Sequence, residues 1–479
     1  MAILSTKTST YYTCAYNTRS YTAPVFIGRQ RELSALEELA ESGQPELFVL
    51  YGRRRVGKTE LLQQFCQGRR GVYFLAAQVR EKDNLRAFRD ALKDGLGDEL
   101  AGAVDFPDWH AALSFAAERA GDERLVVVLD EFPYLCETSK GLPSQVQRFW
   151  DTRGKRSSLM LILCGSQVSF MEREVLAERS PLFGRRTGQR RLEPLEPADT
   201  LAFFPRWKMR ERVLAFGILG GMPAYLRRFD DGRSLEENIC RDILRPEGYL
   251  FDEVQFLLKS ELTNPATYNS ILASVARGTE RVGDIALDVG VDSTTANKYL
   301  HVLRELRLVE REIPVTDPDP LRSRRGTYRI ADRFLAFHFR HVQPNLSLIH
   351  ADRGARVMEE FVGPDLPRIF DEARTDFILS HLRRKAADLL GSEIIEVGRF
   401  AGRHIRAVAR LSAGGTVAAL AWAGTDTQRQ KTLKSPVLAA ELAELERAFG
   451  SAPTVLAYHI VERHEDPLDA EIIAPGLVK

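Results

Sequence analysis

The most constraining feature of this 479-residue sequence is the octapeptide GRRRVGKT at residues 52–59. It directly follows the apolar run LFVLY and precedes the segment TELLQQFCQG, which has helical periodicity. Glycines at both ends of such a loop let the backbone curve around an anion, and the following helix adds the positive end of its dipole. This order of strand, loop and helix predicts a P-loop, the phosphate-binding loop of nucleotide-binding proteins.

The loop residues have separate expected contacts with a nucleoside triphosphate. Backbone N–H groups face the phosphates, Lys58 adds a positive charge at the β- and γ-phosphates, and the Thr59 hydroxyl is a ligand of Mg²⁺. The residues of the loop predicted to bind nucleotide are Gly52, Arg53, Arg54, Arg55, Val56, Gly57, Lys58 and Thr59.

A second motif, LVVVLDE at residues 125–131, is a buried-strand pattern that ends in two carboxylates. Downstream of a P-loop, such a pair supplies the remaining chemistry of triphosphate hydrolysis. Asp130 is predicted to hold the metal ion, and Glu131 is predicted to accept a proton from the attacking water. The presence of Glu131 favours hydrolysis over simple storage of the nucleotide.

The first part of the chain, residues 25–206, alternates short apolar runs with segments of helical period. The runs lie at residues 47–51, 72–76, 125–129 and 159–164. They are apolar throughout, which is typical of parallel strands covered by helices on both faces. The predicted fold class is therefore α/β, with a doubly wound, P-loop NTPase type of parallel sheet.

Two further places are candidates for the site. Ser166 follows the run at residues 159–164 and is predicted to sit beside the γ-phosphate, although a solvated strand end fits the same pattern. Arg185 and Arg186 follow the turn SPLFG and are suited to stabilising transition-state charge, within one chain or across a subunit contact. A basic pair on the surface is the alternative for these arginines.

The remaining sequence predicts further domains. Before the P-loop core, residues 1–24 are expected to be a disordered tail, and after it residues 207–262 are expected to form a helical lid. Residues 263–345 show three helices followed by a β-hairpin, which is the order of a winged helix-turn-helix domain. Residues 346–479 are expected to form a helical connection and a small α/β domain.

The winged-helix region is the expected place for DNA contact. The formal net charge is +1, from 67 Lys and Arg against 66 Asp and Glu, so no global field attracts the chain to a polyanion. Local cations are Lys298 on the third helix, which Asp292 is expected to cap, and Arg322, Arg324 and Arg325 in the hairpin loop. Acidic residues precede that helix, so a protein-docking or intramolecular role stays open.

Five motifs occur in a fixed order: FIGRQRELSALEEL, GRRRVGKT, VVVLDEFPYL, SPLFGRR and GGMPAYL. Together, over residues 25–225, they resemble the archaeal-type ATPase family, a branch of the STAND/AAA+ P-loop NTPases. The resemblance implies ATP as the nucleotide, Mg²⁺ as the metal and ATP hydrolysis as the activity.

The resemblance also implies contacts beyond the P-loop. Asp130 and Glu131 would form the Walker B pair, and Pro223, in the Gly-Met-Pro turn of the lid, would pack on the base. The residues implied to lie near the adenine are Ile27, Gly28 and Arg29. From the residues alone, the turn at Pro223 is simply a helix stop.

The C-terminal domain resembles, more loosely, the restriction-endonuclease-like domain of the same family. Metal-dependent cleavage there needs an Asp on one strand and a Glu-x-Lys on the next. Arg406 stands where the Asp is expected, and the following strand, TVAALAW, has neither acid nor lysine. Glu372 and Glu396 are nearby, but two separated carboxylates without the lysine make a poor cleavage site, so the domain is expected to be inactive.

Other chemistries find no support in the sequence. The five cysteines show no CxxC spacing, and His338 and His341 lie in an aromatic-rich helix typical of core histidines. Apolar runs are far shorter than the roughly 18 residues of a membrane-spanning helix. A cytoplasmic protein without a membrane partner is expected.

The expected function is a Mg²⁺-dependent, ATP-hydrolysing switch, in which the nucleotide state sets the positions of the winged-helix and C-terminal domains. Beyond ATP, the expected partners are DNA, another protein or a second copy of the chain. Two alternatives remain open: a DNA-binding regulator with a structural nucleotide, and a nuclease-related defence protein.

Overall fold

The central element of the computed structural model is a sheet of five parallel strands. They are β1 (Glu46–Tyr51), β2 (Gly71–Leu75), β3 (Leu125–Asp130), β4 (Leu159–Gly165) and β5 (Gly188–Arg191), in the order β2-β3-β4-β1-β5. The first four match the apolar runs in the sequence, and β1, β3 and β4 are buried along their whole length. This parallel sheet confirms the predicted α/β class.

The structure describes residues 26–262, 264–317, 319, 322–323, 325–384, 386–400, 402–421, 426–460 and 468–473. The predicted tail, residues 1–24, and Arg324 lie outside these described residues.

Helices flank the parallel sheet and follow its strands. Those of this first region are α1 (Gln30–Glu41), α2 (Lys58–Cys66), α3 (Glu81–Leu96), α4 (Trp109–Ala120), α5 (Phe132–Thr138), α6 (Leu142–Thr152), α7 (Val168–Phe170) and α8 (Pro197–Thr200). Helix α2 starts at Lys58, so the glycine-rich loop joins the carboxyl end of β1 directly to a helix N-terminus.

The next region is helical, as the sequence predicts. Its helices are α9 (Met209–Leu219), α10 (Pro223–Leu226), α11 (Leu235–Asp242) and α12 (Glu253–Glu261). A capping box at Ser234 and Glu237 starts α11, and Pro223 begins α10 at the interruption noted in the sequence. Helix α9 is buried all round, which is typical of a helix inside a larger core.

Three helices and a two-stranded antiparallel sheet follow. They are α13 (Pro265–Ala276), α14 (Val282–Val289), α15 (Ser293–Glu305), β6 (Val309–Glu312) and β7 (Thr327–Ile330). Asp292 caps α15, because its side chain accepts a hydrogen bond from the Thr295 N–H. The elements come in the predicted order, and their assignment as a winged helix stays a prediction.

The last region contains a long helix and a mixed sheet. Its helices are α16 (Arg333–Phe337), α17 (Leu346–His350), α18 (Gly354–Val357), α19 (Leu366–Arg384), α20 (Ala386–Leu390), α21 (Asp426–Leu433) and α22 (Pro436–Phe449). Its strands are β8 (Ile394–Arg399), β9 (Ile405–Leu411), β10 (Thr416–Ala421), β11 (Thr454–Ile460) and β12 (Leu468–Ile473), with only β10 and β11 parallel.

One apolar core runs through the described chain from α1 to β11. Phe216 on α9 meets Phe377 on α19 with ring centroids 5.4 Å apart, and Tyr225 meets Phe334 on α16 at 5.0 Å. The helical region after the parallel sheet and the last region are therefore packed together through α9, α16 and α19. Where separate domains begin and end stays a prediction, because the core crosses the expected boundaries after residues 206, 262 and 345.

No helix among the described residues has the length and apolarity needed to cross a lipid bilayer.

The closest approach of α9 to α19 depends on Gly217. A Cβ atom at this position would lie 2.8 Å from Ile369 Cγ2 and 3.1 Å from Ala373 Cβ. We expect Gly217→Val to lower the free energy of unfolding by about 1–3 kcal/mol, because the added methyl groups overpack the contact. Thermal unfolding monitored by circular dichroism measures the change.

Gly283 on α14 offers the matched control, because a Cβ there meets nothing within 4 Å. Gly283→Val should leave the midpoint almost unchanged or raise it slightly, since valine is the better helix former. Equal midpoints for the two variants would mean that the contact between α9 and α19 is not tightly packed.

Candidate nucleotide-binding site

The candidate site lies at the carboxyl ends of three neighbouring strands, β3, β4 and β1. The glycine-rich loop leaves β1, Asp130 ends β3 with Glu131 next to it, and Ser166 follows β4. Ligands of open parallel sheets bind at this edge, outside the strand ends. The fold thus brings together three predicted elements that are far apart in the sequence: the loop, the Asp130–Glu131 pair and Ser166.

The loop backbone has the conformation of an anion cradle. Gly52, Arg55 and Gly57 have φ angles of 156°, 67° and 96°, in the region that favours glycine. A Cβ at Gly52 would lie 2.5 Å from the Leu192 carbonyl oxygen, so this position cannot hold a side chain. Within the described residues, the N–H groups of residues 53–57 donate no hydrogen bond and are free for an anion.

Lys58 is buried at the start of α2, and its ammonium closes the loop on itself. Its Nζ donates hydrogen bonds to the carbonyl oxygens of Gly52, at 2.8 Å, and Arg53, at 3.0 Å. Burial lowers the pKa of Lys58, while nearby negative groups, Glu131 and Asp130 among them, oppose this. A bound polyphosphate would add the strong anionic partner that this buried cation lacks among its direct contacts.

Thr59 and Asp130 form the candidate metal pair. The Thr59 hydroxyl donates to Asp130 Oδ2 at 2.9 Å, and the Tyr73 hydroxyl donates to the same oxygen. Burial raises the pKa of Tyr73, so this hydroxyl remains a donor. A hydroxyl and one carboxylate are hard oxygen ligands that fit Mg²⁺, which takes its other ligands from phosphates and water.

Glu131 stands directly beside this pair in a left-handed backbone conformation, with φ at 55°. This conformation is uncommon for a residue other than glycine, and such residues cluster at functional sites. Ser166 donates its hydroxyl to both carboxylate oxygens, at 2.9 and 2.7 Å. Ser166 is only 2% exposed, so the alternative of a solvated strand end is wrong.

A cavity of about 570 Å³ opens in front of these residues. One wall is the loop with Glu131, and the facing wall is α12, whose side chains at positions 253, 256, 257 and 260 recur at helical spacing. The lining residues are Arg54, Arg55, Gly57, Lys58, Thr59, Glu60, Glu131, Tyr134, Ser166, Pro223, Ala224, Glu253, Phe256, Leu257 and Ser260.

The three arginines of the loop contact three different parts of the chain. Arg53 is buried and forms an ion pair with Asp332, with Nη1 2.6 Å from Oδ2. Arg54 donates to the Tyr134 hydroxyl on α5. Arg55 forms an ion pair with Glu253 on α12, which also accepts a hydrogen bond from Tyr225 at 2.8 Å.

The residues expected near the adenine surround a small cavity beside Gly57. Ile27, Arg29 and Pro223 line it, and its volume of about 10 Å³ is that of a single water molecule. Arg29 donates to the Val56 carbonyl oxygen at 2.9 Å, so its side chain helps to hold the phosphate loop in place. A Cβ at Gly28 would lie 3.0 Å from Leu195. Their contact with a base stays a prediction.

The structure does not bring Arg185 and Arg186 to the cavity. Arg185 forms an ion pair with Asp151 at 2.9 Å. Arg186 donates to the Leu176 carbonyl oxygen at 3.1 Å and lies over the ring of Phe183. These partners lie away from the cavity-lining residues, so within one chain both guanidinium groups are already used. A catalytic role of either arginine stays a prediction.

The carboxylates considered for a nuclease centre are each paired with arginine. Arg406 forms an ion pair with Asp371, and Glu396 contacts Arg410 at 3.0 Å. Glu372 contacts Arg333 at 2.7 Å. Within the described ranges, no cluster of three or more His, Cys, Asp or Glu residues could hold a metal ion.

Sequence reasoning missed the contributions of Tyr73, Glu253, Phe256 and Asp332. Tyr73 lies on the strand next to β3, and the sequence does not reveal which strands are neighbours. The helical spacing of Glu253, Phe256 and Ser260 was available as a signal, but nothing in the sequence says that this face of α12 covers the P-loop.

The parallel sheet, the anion-binding loop and the two carboxylates at the end of β3 define the class of the protein as a P-loop NTPase. Within that class, the model of a family described as an ATPase domain predominantly from Archaea matches residues 26–229. The chain belongs to this archaeal ATPase family, and residues 26–229 are its ATPase domain.

Two relatives and one solved structure are similar to this chain. An uncharacterized protein of Methanocaldococcus jannaschii is 32% identical over 360 residues, which are 74% of this chain and 77% of that protein. An uncharacterized ATP-binding protein of the same organism is 40% identical over 50 residues, 10% of this chain and 85% of that protein. A Walker-type ATPase of Pyrococcus abyssi has the same fold, with a TM-score of 0.50 and 21% identity over 66% of this chain and 96% of that one.

The carboxyl group of Glu261, at the end of α12, makes the folding stability of the chain depend on pH. Burial raises the pKa of this carboxyl to about 7, although the charges of Arg53, Lys58 and Arg54 oppose the rise. The folded chain therefore holds a proton that the unfolded chain releases near its ordinary pKa of 4.5. Between these two values the unfolded chain ionises while the folded carboxyl stays protonated, so rising pH favours the unfolded chain and lowers stability.

We expect Glu261→Gln to raise the thermal midpoint at pH 8, where the wild-type carboxyl is ionised, and to change it little at pH 5. Differential scanning fluorimetry at the two pH values measures both differences. Glu359→Gln, at an exposed glutamate, is the matched control and should shift the midpoint equally at both. A pH-independent effect of Glu261→Gln would contradict the raised pKa.

Proposed function

We propose that this ATPase is a Mg²⁺-dependent switch, in which binding and hydrolysis of ATP set the positions of the helices and sheets that follow the P-loop core. The proposal rests on the convergence of Lys58, Thr59, Asp130 and Glu131 at one end of one cavity. It is strengthened by α12 and Asp332, because these downstream elements contact the phosphate loop itself.

ATP would bind with its phosphates on the loop. The free N–H groups of residues 53–57 and the Lys58 ammonium would hold the phosphate oxygens. Thr59 and Asp130 would hold Mg²⁺, which supplies positive charge to the β- and γ-phosphate oxygens. Tyr73, which donates to the same oxygen of Asp130, orients this carboxylate.

Glu131 would then act as the general base. Its carboxylate accepts a proton as a water oxygen bonds to the γ-phosphorus and the bond from that phosphorus to the bridging oxygen breaks, which gives ADP and phosphate. Ser166 donates to both oxygens of Glu131 and fixes the direction of the carboxylate. If the Ser166 hydroxyl donated to only one of the two carboxylate oxygens, the other oxygen of Glu131 would be free to accept the proton.

Substitution of Lys58 and Glu131 separates binding from turnover. Lys58→Ala should abolish ATP binding, because the loop loses its buried positive charge. Glu131→Gln should keep binding and reduce kcat by a factor of about 10²–10⁴, the usual contribution of a general base. Isothermal titration with ATP and a phosphate-release assay measure the two quantities.

Glu137→Gln provides a matched control for Glu131→Gln. It makes the same chemical change at an exposed side chain of α5 that accepts hydrogen bonds from Gln78 and Gln167 and is not among the cavity-lining residues, and it should leave both quantities at wild-type values. If Glu131→Gln hydrolyses ATP at the wild-type rate, another group is the base.

The second candidate function is a DNA-binding regulator, and the exposed face of α15 favours it. Ser293, Asn297 and Lys298 are exposed there, while Ala296 and Leu300 are buried against the core. A polar helix face of this kind suits a recognition helix in a major groove. Arg322 and Arg325, between β6 and β7, are also exposed and would contact phosphates.

If this surface binds DNA, the combined Lys298→Ala, Arg322→Ala and Arg325→Ala variant should weaken duplex binding and flatten its salt dependence. Loss of three phosphate contacts predicts a decrease of about 2–3 in the slope of log K against log salt. Fluorescence anisotropy with a labelled duplex at several salt concentrations measures it. Wild-type chain that binds no duplex at low salt would eliminate this function.

A further inference from the structure

The ion pair between Arg53 and Asp332 links the phosphate loop to a segment almost three hundred residues later in the chain. Its separation in sequence is 279 residues, and the two side chains are 7% and 6% exposed. Surface ion pairs contribute little and vary easily, whereas a buried pair holds its two segments in one relative position. Arg53 is therefore tied both to the loop, through its backbone, and to Asp332, through its side chain.

Asp332 is also the residue that starts α16. Its Oδ2 contacts Arg53, and its Oδ1 accepts a hydrogen bond from the Leu335 N–H at 2.8 Å. One carboxylate therefore fixes the loop arginine and the first turn of the helix. Any displacement of Arg53 must either move the start of α16 or break this contact.

The next residue, Arg333, connects the start of α16 to α19. Its guanidinium is buried and contacts two carboxylates of α19, with Nη1 2.7 Å from Glu372 Oε2 and Nε 2.7 Å from Asp376 Oδ2. Asp376 also pairs with Arg399 at the end of β8. A chain of buried and partly buried ion pairs, joined by the backbone between Asp332 and Arg333, thus runs from the phosphate loop through the start of α16 to the C-terminal sheet.

Phosphate binding would act on Arg53, the first residue in this series of ion pairs. The Lys58 ammonium donates to the backbone carbonyl of Arg53 at 3.0 Å. A polyphosphate in the cavity would compete with this carbonyl for the N–H groups of the Lys58 ammonium, because an anionic oxygen is a stronger acceptor than a carbonyl. Occupancy of the site therefore changes the hydrogen bonding of the residue that carries the pair to Asp332.

We propose that the Arg53–Asp332 ion pair couples nucleotide occupancy of the phosphate loop to the position of α19 and β8. This inference rests on the switch function proposed above and identifies the contact that transmits it. Arg53 and Asp332 are positioning residues in this scheme, since Asp332 acts on the nucleotide only through Arg53. Because coupling between two sites is reciprocal, loss of the pair must also change nucleotide affinity.

Asp332→Asn is the informative variant. Asparagine keeps the cap of α16 and the size of the side chain but removes the negative charge. The measurement is hydrogen exchange of the full chain, followed by mass spectrometry, with Mg²⁺ and a non-hydrolysable ATP analogue, with Mg²⁺ and ADP, and without nucleotide. The readout is the nucleotide-dependent difference in deuterium uptake over residues 366–384 and 394–399.

In the wild-type chain we expect this uptake to differ between the analogue and the nucleotide-free state. In Asp332→Asn the difference should be largely lost, and the affinity for the analogue should change by about fivefold or more, the usual lower range of allosteric coupling. Glu360→Gln removes an exposed ion pair with Arg356 and serves as the matched control, which should retain the wild-type difference.

The outcomes separate the two proposals. If the wild-type chain shows no nucleotide-dependent difference, both the switch and this coupling are overturned. If the wild-type difference persists unchanged in Asp332→Asn, the switch stands and the coupling through Arg53 is overturned. Should Asp332→Asn not fold, Arg53→Lys, which keeps the charge but shortens its reach, decides in the same way: an undiminished difference overturns the coupling.

Discussion

Burial of positive charge at the end of a parallel sheet is the constraint on which the rest of the structure depends. Lys58 and Arg53 are both buried, and an unpaired buried cation is costly. Lys58 meets this cost with two backbone carbonyls, and Arg53 meets it with Asp332. Segments remote in sequence thus supply hydrogen-bond acceptors to the cations of one loop. A bound polyphosphate would add the remaining anionic acceptor.

The near-neutral composition of the chain is reflected in the pairing of its buried charges. The basic loop is matched by acids from α12 and from the start of α16, so the positive charge is balanced locally. The C-terminal region shows the same balance, because Arg333 and Arg406 each bind a carboxylate of α19. Carboxylates engaged in this way link α19 to the elements packed against it.

The local features of the molecule could be predicted from the sequence, and the features that depend on distant contacts could not. The apolar runs identify β1 to β4, and GRRRVGKT with Asp130 and Glu131 identifies the site, because each pattern is set by neighbours in the chain. Strand β5, with the sequence GQRR, was missed because an edge strand needs no apolar run. The face of α12 and the role of Asp332 were missed because they follow from tertiary packing alone.

The contact of α9 with α19 limits how the protein can move. At Gly217 the two helices approach so closely that a single methyl group would not fit, and the interface continues into Phe216 and Phe377. Interfaces packed this tightly do not slide gradually, so these two helices travel as one rigid body. Any rearrangement that the proposed switch requires between the nucleotide-binding core and the C-terminal sheet must therefore leave this pair of helices intact.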